Sequence, residues 1–234
     1  MSKTKKAVII GFVLIGIGVI IGFIGIAIGG FKFPNGTVDL TTMKALHAEK
    51  KTVQITDAFD KIEIAGAGSM DIEICKSKTG KNYVEYYDTD DWTSHVDVKD
   101  HVLKFTTDDK GKHKAIVSLG FGKDTAARLY LADAEYKEIS VTTLSGYVTI
   151  QDVNAGTVNV SASSGDIDLE RCDAEGFDIT TSSGDVDMEI TAGRMYRFET
   201  KTNSGDVDVP DGDADSGYLC KIVTSSGDVD VKQK

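Results

Sequence analysis

The hexapeptide Ser-Gly-Asp-(Val/Ile)-Asp-(Val/Leu/Met) occurs four times, beginning at Ser164, Ser183, Ser204 and Ser226, and a weaker copy runs Ser145-Gly146-Tyr147-Val148-Thr149-Ile150. The glycines Gly146, Gly165, Gly184, Gly205 and Gly227 are 19, 19, 21 and 22 residues apart. That period is too regular for chance and too short for separate domains, so one supersecondary unit is repeated. After each glycine the alternation places Val148 and Ile150, Ile167 and Leu169, Val186 and Met188, Val207 and Val209, and Val229 and Val231 on one strand face. The interleaved aspartates face the other way. Seven and five residues before each glycine stand Ile139 and Val141, Val158 and Val160, Phe177 and Ile179, Phe198 and Thr200, and Cys220 and Ile222, a second inward pair per unit.

Each unit therefore reads as strand, Ser-Gly corner, strand and return loop. One unit cannot bury its own apolar face, so units must stack with strands about 4.8 Å apart. The expected fold is all-β, a stacked-rung β-solenoid or β-helix-like domain over 57–234, with regular repeats over 139–232. The same pattern appears in Ile62-Glu63-Ile64 followed by Met70-Asp71-Ile72-Glu73-Ile74, read as an early rung. Between the two regions, Tyr83–Tyr87, Val96–Val98, Val102–Phe105, Ala115–Leu119 and Leu129–Leu131 read as short strands in less regular hairpins. Residues 32–56 read as a juxtamembrane linker, with Leu40–Lys51 as the one weak helix candidate. The run Val229–Lys234 is expected to form an unpaired end rung, which a second copy or a partner would cap.

The segment 7–31 is uncharged and apolar, about 37 Å long if helical, enough to cross a bilayer with some tilt. Lys3, Lys5 and Lys6 precede it in a basic tail over 1–6, and no acidic residue appears before Asp39. The positive-inside rule then keeps the N-terminus cytoplasmic and the C-terminal domain extracytoplasmic, on a single-pass anchor in the cell membrane. A cleaved signal peptide is the rival, with Ala27-Ile28-Gly29 as its site, but the apolar run exceeds the usual ~7–15 residue core. Gly18, Gly22, Gly25 and Gly29 contain two G-x-x-x-G steps, which suit helix pairing with another copy or another membrane protein. Glycine is also simply common in membrane spans.

The whole chain carries −11 at neutral pH, and discounting the three N-terminal lysines leaves −14. That charge argues against nucleic acid and anionic lipid as direct partners of the domain, whereas basic peptides, cationic surfaces and divalent ions suit it better. Three cysteines, Cys75, Cys172 and Cys220, make no disulfide framework, and the last two fall where small buried hydrophobes belong.

Stacking would align Asp166, Asp185, Asp206 and Asp228 in one column and Asp168, Asp187, Asp208 and Asp230 in another. Neighbouring carboxylates at that spacing repel by about 0.9 kcal/mol in water, so they must be solvated or cation-bound. For calcium, the loop Asp211-Gly212-Asp213-Ala214-Asp215-Ser216-Gly217 is the better candidate, with Asp211, Asp213 and Asp215 at alternate positions. An EF-hand wants Gly sixth and Glu twelfth, whereas Gly217 is seventh and Ile222 twelfth. The four histidines show no metal-ligand spacing, and no other cofactor motif is present. Tyr83, Tyr86, Tyr87 and Trp92 read either as a sugar-stacking strip or as cross-strand packing.

A short basic N-terminus, one span and Ser-Gly-Asp-(Val/Ile)-Asp-(Val/Leu/Met) rungs resemble the bacterial adhesin-like β-strand repeat family that carries domain of unknown function 4097. Lia-type cell-envelope stress components of Gram-positive bacteria are related. The resemblance covers roughly 59–231 and implies an envelope role without catalytic residues. The leading expectation is a non-enzymatic, membrane-anchored, adhesin-like interaction scaffold. The alternative is an accessory of an envelope-stress sensor. A polysaccharide-cleaving β-helix enzyme ranks third, because its carboxylate pair should be singular and set in a cleft, not reiterated in every rung.

Overall fold

The computed structural model describes residues 31–33, 36–38, 49–65, 70–88, 92–109, 126–132 and 135–234. Residues 7–30 of the expected membrane span 7–31, its glycine stripe, residues 40–48 of the helix candidate and the strand over 115–119 lie outside the described residues, and Phe31 begins a strand. The described residues form strands and no helix, and hence no helix long and apolar enough to cross a membrane. Strands β1 (Phe31–Phe33) and β2 (Gly36–Val38) pair antiparallel with one another.

The remaining strands form one body with two sheets. The first sheet runs β3 (Glu49–Ile55), β6 (Asn82–Asp88), β9 (Ala127–Leu131), β5 (Ile72–Lys76), β11 (Val148–Gln151), the first part of β13 (Ile167–Ser183), β14 (Val186–Ile190), β18 (Val229–Gln233) and β16 (Val207–Asp208). The second runs β7 (Trp92–Lys99), β8 (Val102–Asp109), β4 (Lys61–Ala65), β10 (Glu135–Ser145), β12 (Asn154–Ser164), the second part of β13, β17 (Leu219–Val223) and β15 (Arg197–Lys201). Pairing is parallel throughout, except for β3–β6, β6–β9 and β7–β8 at one end of the stack. The chain passes between sheets at each Ser-Gly corner. A second corner lies opposite, where Asp152 and Arg171 adopt φ of 55° and 52°.

The inward pairs read from the sequence build the core. Ile139, Val148, Ile150, Ile167, Leu169, Ile179, Val186, Cys220 and Ile222 are at most 1% exposed and belong to one cluster with the early rung Ile62, Ile64, Ile72 and Ile74. Each such side chain contributes roughly 1.5–3 kcal/mol before chain entropy is set against it. The early rung is real and stacks directly on the first repeat, with Ile62 opposite Ile139 and Ile72 opposite Val148.

Two expectations are corrected. Glu49–Lys51 are strand rather than the end of a helix, because Lys51, Val53 and Ile55 alternate inward along β3 and the pairing with β6 overrides their helix propensity. Nor is β18 an unpaired end. It lies between β14 and β16, just as β17 lies between β13 and β15, so the corners stack in the order Gly146, Gly165, Gly184, Gly227, Gly205. The reason lies in the inward residues. The inner seat takes Cys220 and Ile222, both fully buried, where the Gly205 unit would bring the bulkier Phe198 and the polar Thr200. Those two remain half-buried in the outer seat. Tyr196, itself fully buried, pins the connection by donating its hydroxyl to the Ala174 carbonyl at 2.5 Å.

Candidate functional site

The corner is where the repeat sequence becomes a surface. At Gly184, φ is +143° and a Cβ would stand 2.2 Å from the Gly165 carbonyl oxygen, so only glycine lets adjacent rungs approach. Beneath the corner runs a column that the sequence reading missed. Three residues before the repeat glycine stand Thr143, Thr181, Thr202 and Thr224, with Ala162 in the remaining unit. Thr143, Thr181 and Thr224 are buried, and their hydroxyls donate to the carbonyls of Ser145, Ser183 and Gly184, while Thr202 donates to that of Gly227. The signal was present in the sequence as a threonine at a fixed offset from glycine.

The first aspartate of each unit also does more than face water. Asp166 Oδ1 accepts the Asp185 N–H at 3.0 Å, Asp185 Oδ1 that of Asp228 at 2.8 Å, and Asp228 Oδ1 that of Asp206 at 2.8 Å. Asp71 does the same for Tyr147 at 2.9 Å. These carboxylates tie successive rungs, except between the Gly146 and Gly165 rungs where Tyr147 takes the aspartate's place, and charge strengthens each bond.

The second aspartates form the outward acidic column. Asp168 lies opposite Asp187, Asp187 opposite Asp230, and Asp230 opposite Asp208. Burial, then Glu170 and Asp187, raise the Asp168 carboxyl above its ordinary value, and burial, then Asp230 and Asp185, raise that of Asp187. Lys232 bonds Asp230 at the edge of this column. On the other sheet, charges alternate as pairs, including Lys104 with Glu63, Lys61 with Glu138 and Lys221 with Asp178.

The acidic loop has a structural task. Asp211, Asp213 and Asp215 are exposed, and Asp213 Oδ1 accepts the N–H of Asp215. The Asp213 N–H bonds the Tyr196 carbonyl, Ser216 bonds that of Met195, and Gly212 sits so close to the Phe198 ring that a Cβ would meet it at 2.9 Å. The loop thus covers the start of β15. Among the described residues no three His, Cys, Asp or Glu side chains converge on a point that could hold a metal ion.

The tyrosines divide between faces. Tyr86 is buried edge-on against Phe105, whereas Tyr83 lies outside, stacked on Tyr130 at 4.4 Å beside an open depression of about 430 Å³ that Cys75, Lys76, Lys78, Gln151 and Asp152 also line. No aromatic strip results. Inside the body, the void between Ile62, Val84, Leu103 and Leu129 measures about 10 Å³, room for no ligand. Cys172 and Cys220 are fully buried, which pushes both thiols up to about 12, as expected of packing residues rather than nucleophiles.

No curated protein matches the sequence. Among solved structures, a putative cell adhesion protein from Clostridium sporogenes is similar at 17% identity with a TM-score of 0.57, over 81% of this chain and 100% of that one. This likeness establishes the fold alone. A putative adhesin from Bacteroides fragilis aligns at 15% identity over 80% of this chain and 97% of its own, with a TM-score of 0.35, too low to carry an argument. The family model described as Toastrack DUF4097 matches residues 59–234, which include every Ser-Gly-Asp rung and the early rung beneath them. The chain belongs to the Toastrack DUF4097 family.

Proposed function

We propose that this protein is a non-enzymatic, adhesin-like interaction scaffold of the bacterial cell envelope, anchored by residues 7–31 with its β-domain outside the cytoplasm. The observation that carries this reading is reiteration. Functional-looking aspartates recur in the four Ser-Gly-Asp rungs, where they tie rungs together or form an acidic column, and among the described residues no single pair stands apart in a cleft as acid-base catalysis requires. A rigid stack held by corner hydrogen bonds suits presentation of a surface. The similar protein from Clostridium sporogenes, described as a putative cell adhesion protein, points the same way. The stripe of Gly18, Gly22, Gly25 and Gly29 would let the anchor pair with itself or with another membrane protein.

The test is to place a photo-crosslinking residue at Asn159 or Thr180, both on the outward side of the second sheet, in the full chain on intact cells. Envelope partners should be captured, and a C-terminal epitope should be open to external protease. A protected epitope would refute the topology. Turnover of a glycan by the purified chain would refute the non-enzymatic reading.

A further inference from the structure

The stack ends differently on its two sheets. On the second sheet the acidic loop folds over the start of β15, with Gly212 against Phe198 and Asp213 bonded to Tyr196. On the first sheet β16 pairs with β18 alone, and among the described residues no strand lies beyond it. Val207 is consequently 42% exposed, whereas its counterparts Val148, Ile167, Val186 and Val229 are at most 1% exposed. Asp206 is open in the same way. Asp166, Asp185 and Asp228 each give Oδ1 to the backbone N–H of the following rung, and Asp206 holds the equivalent place with no rung to follow.

We propose that this edge takes one more β-strand, an extended segment of a partner protein with lysine or arginine on either side of an apolar residue. Its apolar side chain would cover Val207, and a backbone N–H would bond Asp206 as the following rung's N–H bonds Asp166, Asp185 and Asp228. Charge selects the partner. Asp206, Asp208, Asp211, Asp213 and Asp215 are exposed together, with no lysine or arginine between Lys201 and Lys221. The same edge of a second copy would set Asp206 and Asp208 against themselves and is disfavoured. This narrows the scaffold reading to one edge and one class of ligand.

The test uses the full chain in detergent micelles and a fluorescent peptide, Lys-Thr-Lys-Val-Lys-Thr. Controls are a peptide of the same composition with Val moved to one end, and one with N-methyllysine in place of the lysine before Val, which removes the backbone donor for Asp206 and keeps the charge. Anisotropy should show binding of the first peptide that weakens about tenfold in Asp206→Asn/Asp208→Asn and with either control peptide. Asp187→Asn/Asp230→Asn should change it little. Residues 206–209 should gain hydrogen-exchange protection.

Equal binding of all three peptides, loss of binding only in the Asp187/Asp230 variant, or no binding would each overturn the proposal. So would concentration-dependent self-association that Asp206→Asn/Asp208→Asn abolishes, since the occupant would then be a second copy. If crosslinking on cells captures partners while this peptide fails, the edge proposal falls and the scaffold reading stands.

Discussion

Replacing Gly184 by alanine places a methyl carbon 2.2 Å from the Gly165 carbonyl oxygen, 2.6 Å from its carbon and 3.1 Å from Asp166 Oδ1. The first two are backbone atoms of a packed rung and cannot swing aside, so the rungs must part. That weakens the Gly165 N–H bond to Ser183 at 2.9 Å and the Asp185 N–H bond to Asp166 at 3.0 Å, together about 2 kcal/mol net. Holding a non-glycine residue at φ +143° adds about 1–3 kcal/mol. The expected loss is thus about 3–5 kcal/mol. Gly80 supplies the control, since it has φ +66° and no atom within 4 Å of where a Cβ would stand, so alanine there should cost only about 1–2 kcal/mol. Urea unfolding followed by far-ultraviolet circular dichroism would compare the two at a common slope. Equal midpoint shifts would show that close rung approach is not what the corner glycine provides.

Asp187→Asn should stabilise the protein at neutral pH. The native state raises this carboxyl above 3.8, so it holds its proton to higher pH than the unfolded chain, and ionisation at rising pH costs the fold. The gain in melting temperature should shrink to nothing as pH falls below about 3.8, and a variant that melts lower at pH 7 would contradict the repulsive column. Asp152 has the opposite sign: the hydrogen bond from Arg171 lowers its pKa, so its contribution is present at neutral pH and lost on acidification, an effect Arg171→Gln should remove. Iodoacetamide should label half-buried Cys75 on the native protein and spare Cys172 and Cys220 until denaturant is added, as peptide mass mapping would show. A chain cut after Gly217 lacks β17 and β18; residues 197–209 should then exchange amide hydrogens as unstructured chain while β10 to β12 stay protected. Protection of 197–209 in that fragment would mean that Phe198 and Thr200 do fit the inner seat.

Strand alternation at Ile167 and Leu169 or Val186 and Met188 made the core readable without coordinates, because a period of two has one inward face. The repeat glycines gave the corner for the same local reason. Rung order was not readable. The Gly205 and Gly227 units share Ser-Gly-Asp-Val-Asp-Val, and what separates them is the fit of Phe198 and Thr200 against Cys220 and Ile222, a property of the assembled core. Asp185 and Asp187 look alike in sequence too, yet the first position after a corner glycine puts its carboxylate on the backbone N–H of the next rung, and the third puts its own in an outward column. The acidic loop resembled an ion site because its carboxylates alternate, while its packing on Tyr196 and Phe198 depends on a residue thirteen or more positions upstream.

The seating of β17 and β18 between earlier strands has a consequence in time. Ribosomes deliver β15 and β16 first, but the strands that seat them emerge afterwards. The outer rung therefore waits for residues downstream of itself, and this end of the stack closes only when Leu219–Gln233 have been made. The acidic edge is thus the part of the stack whose completion depends on the last strands to leave the ribosome.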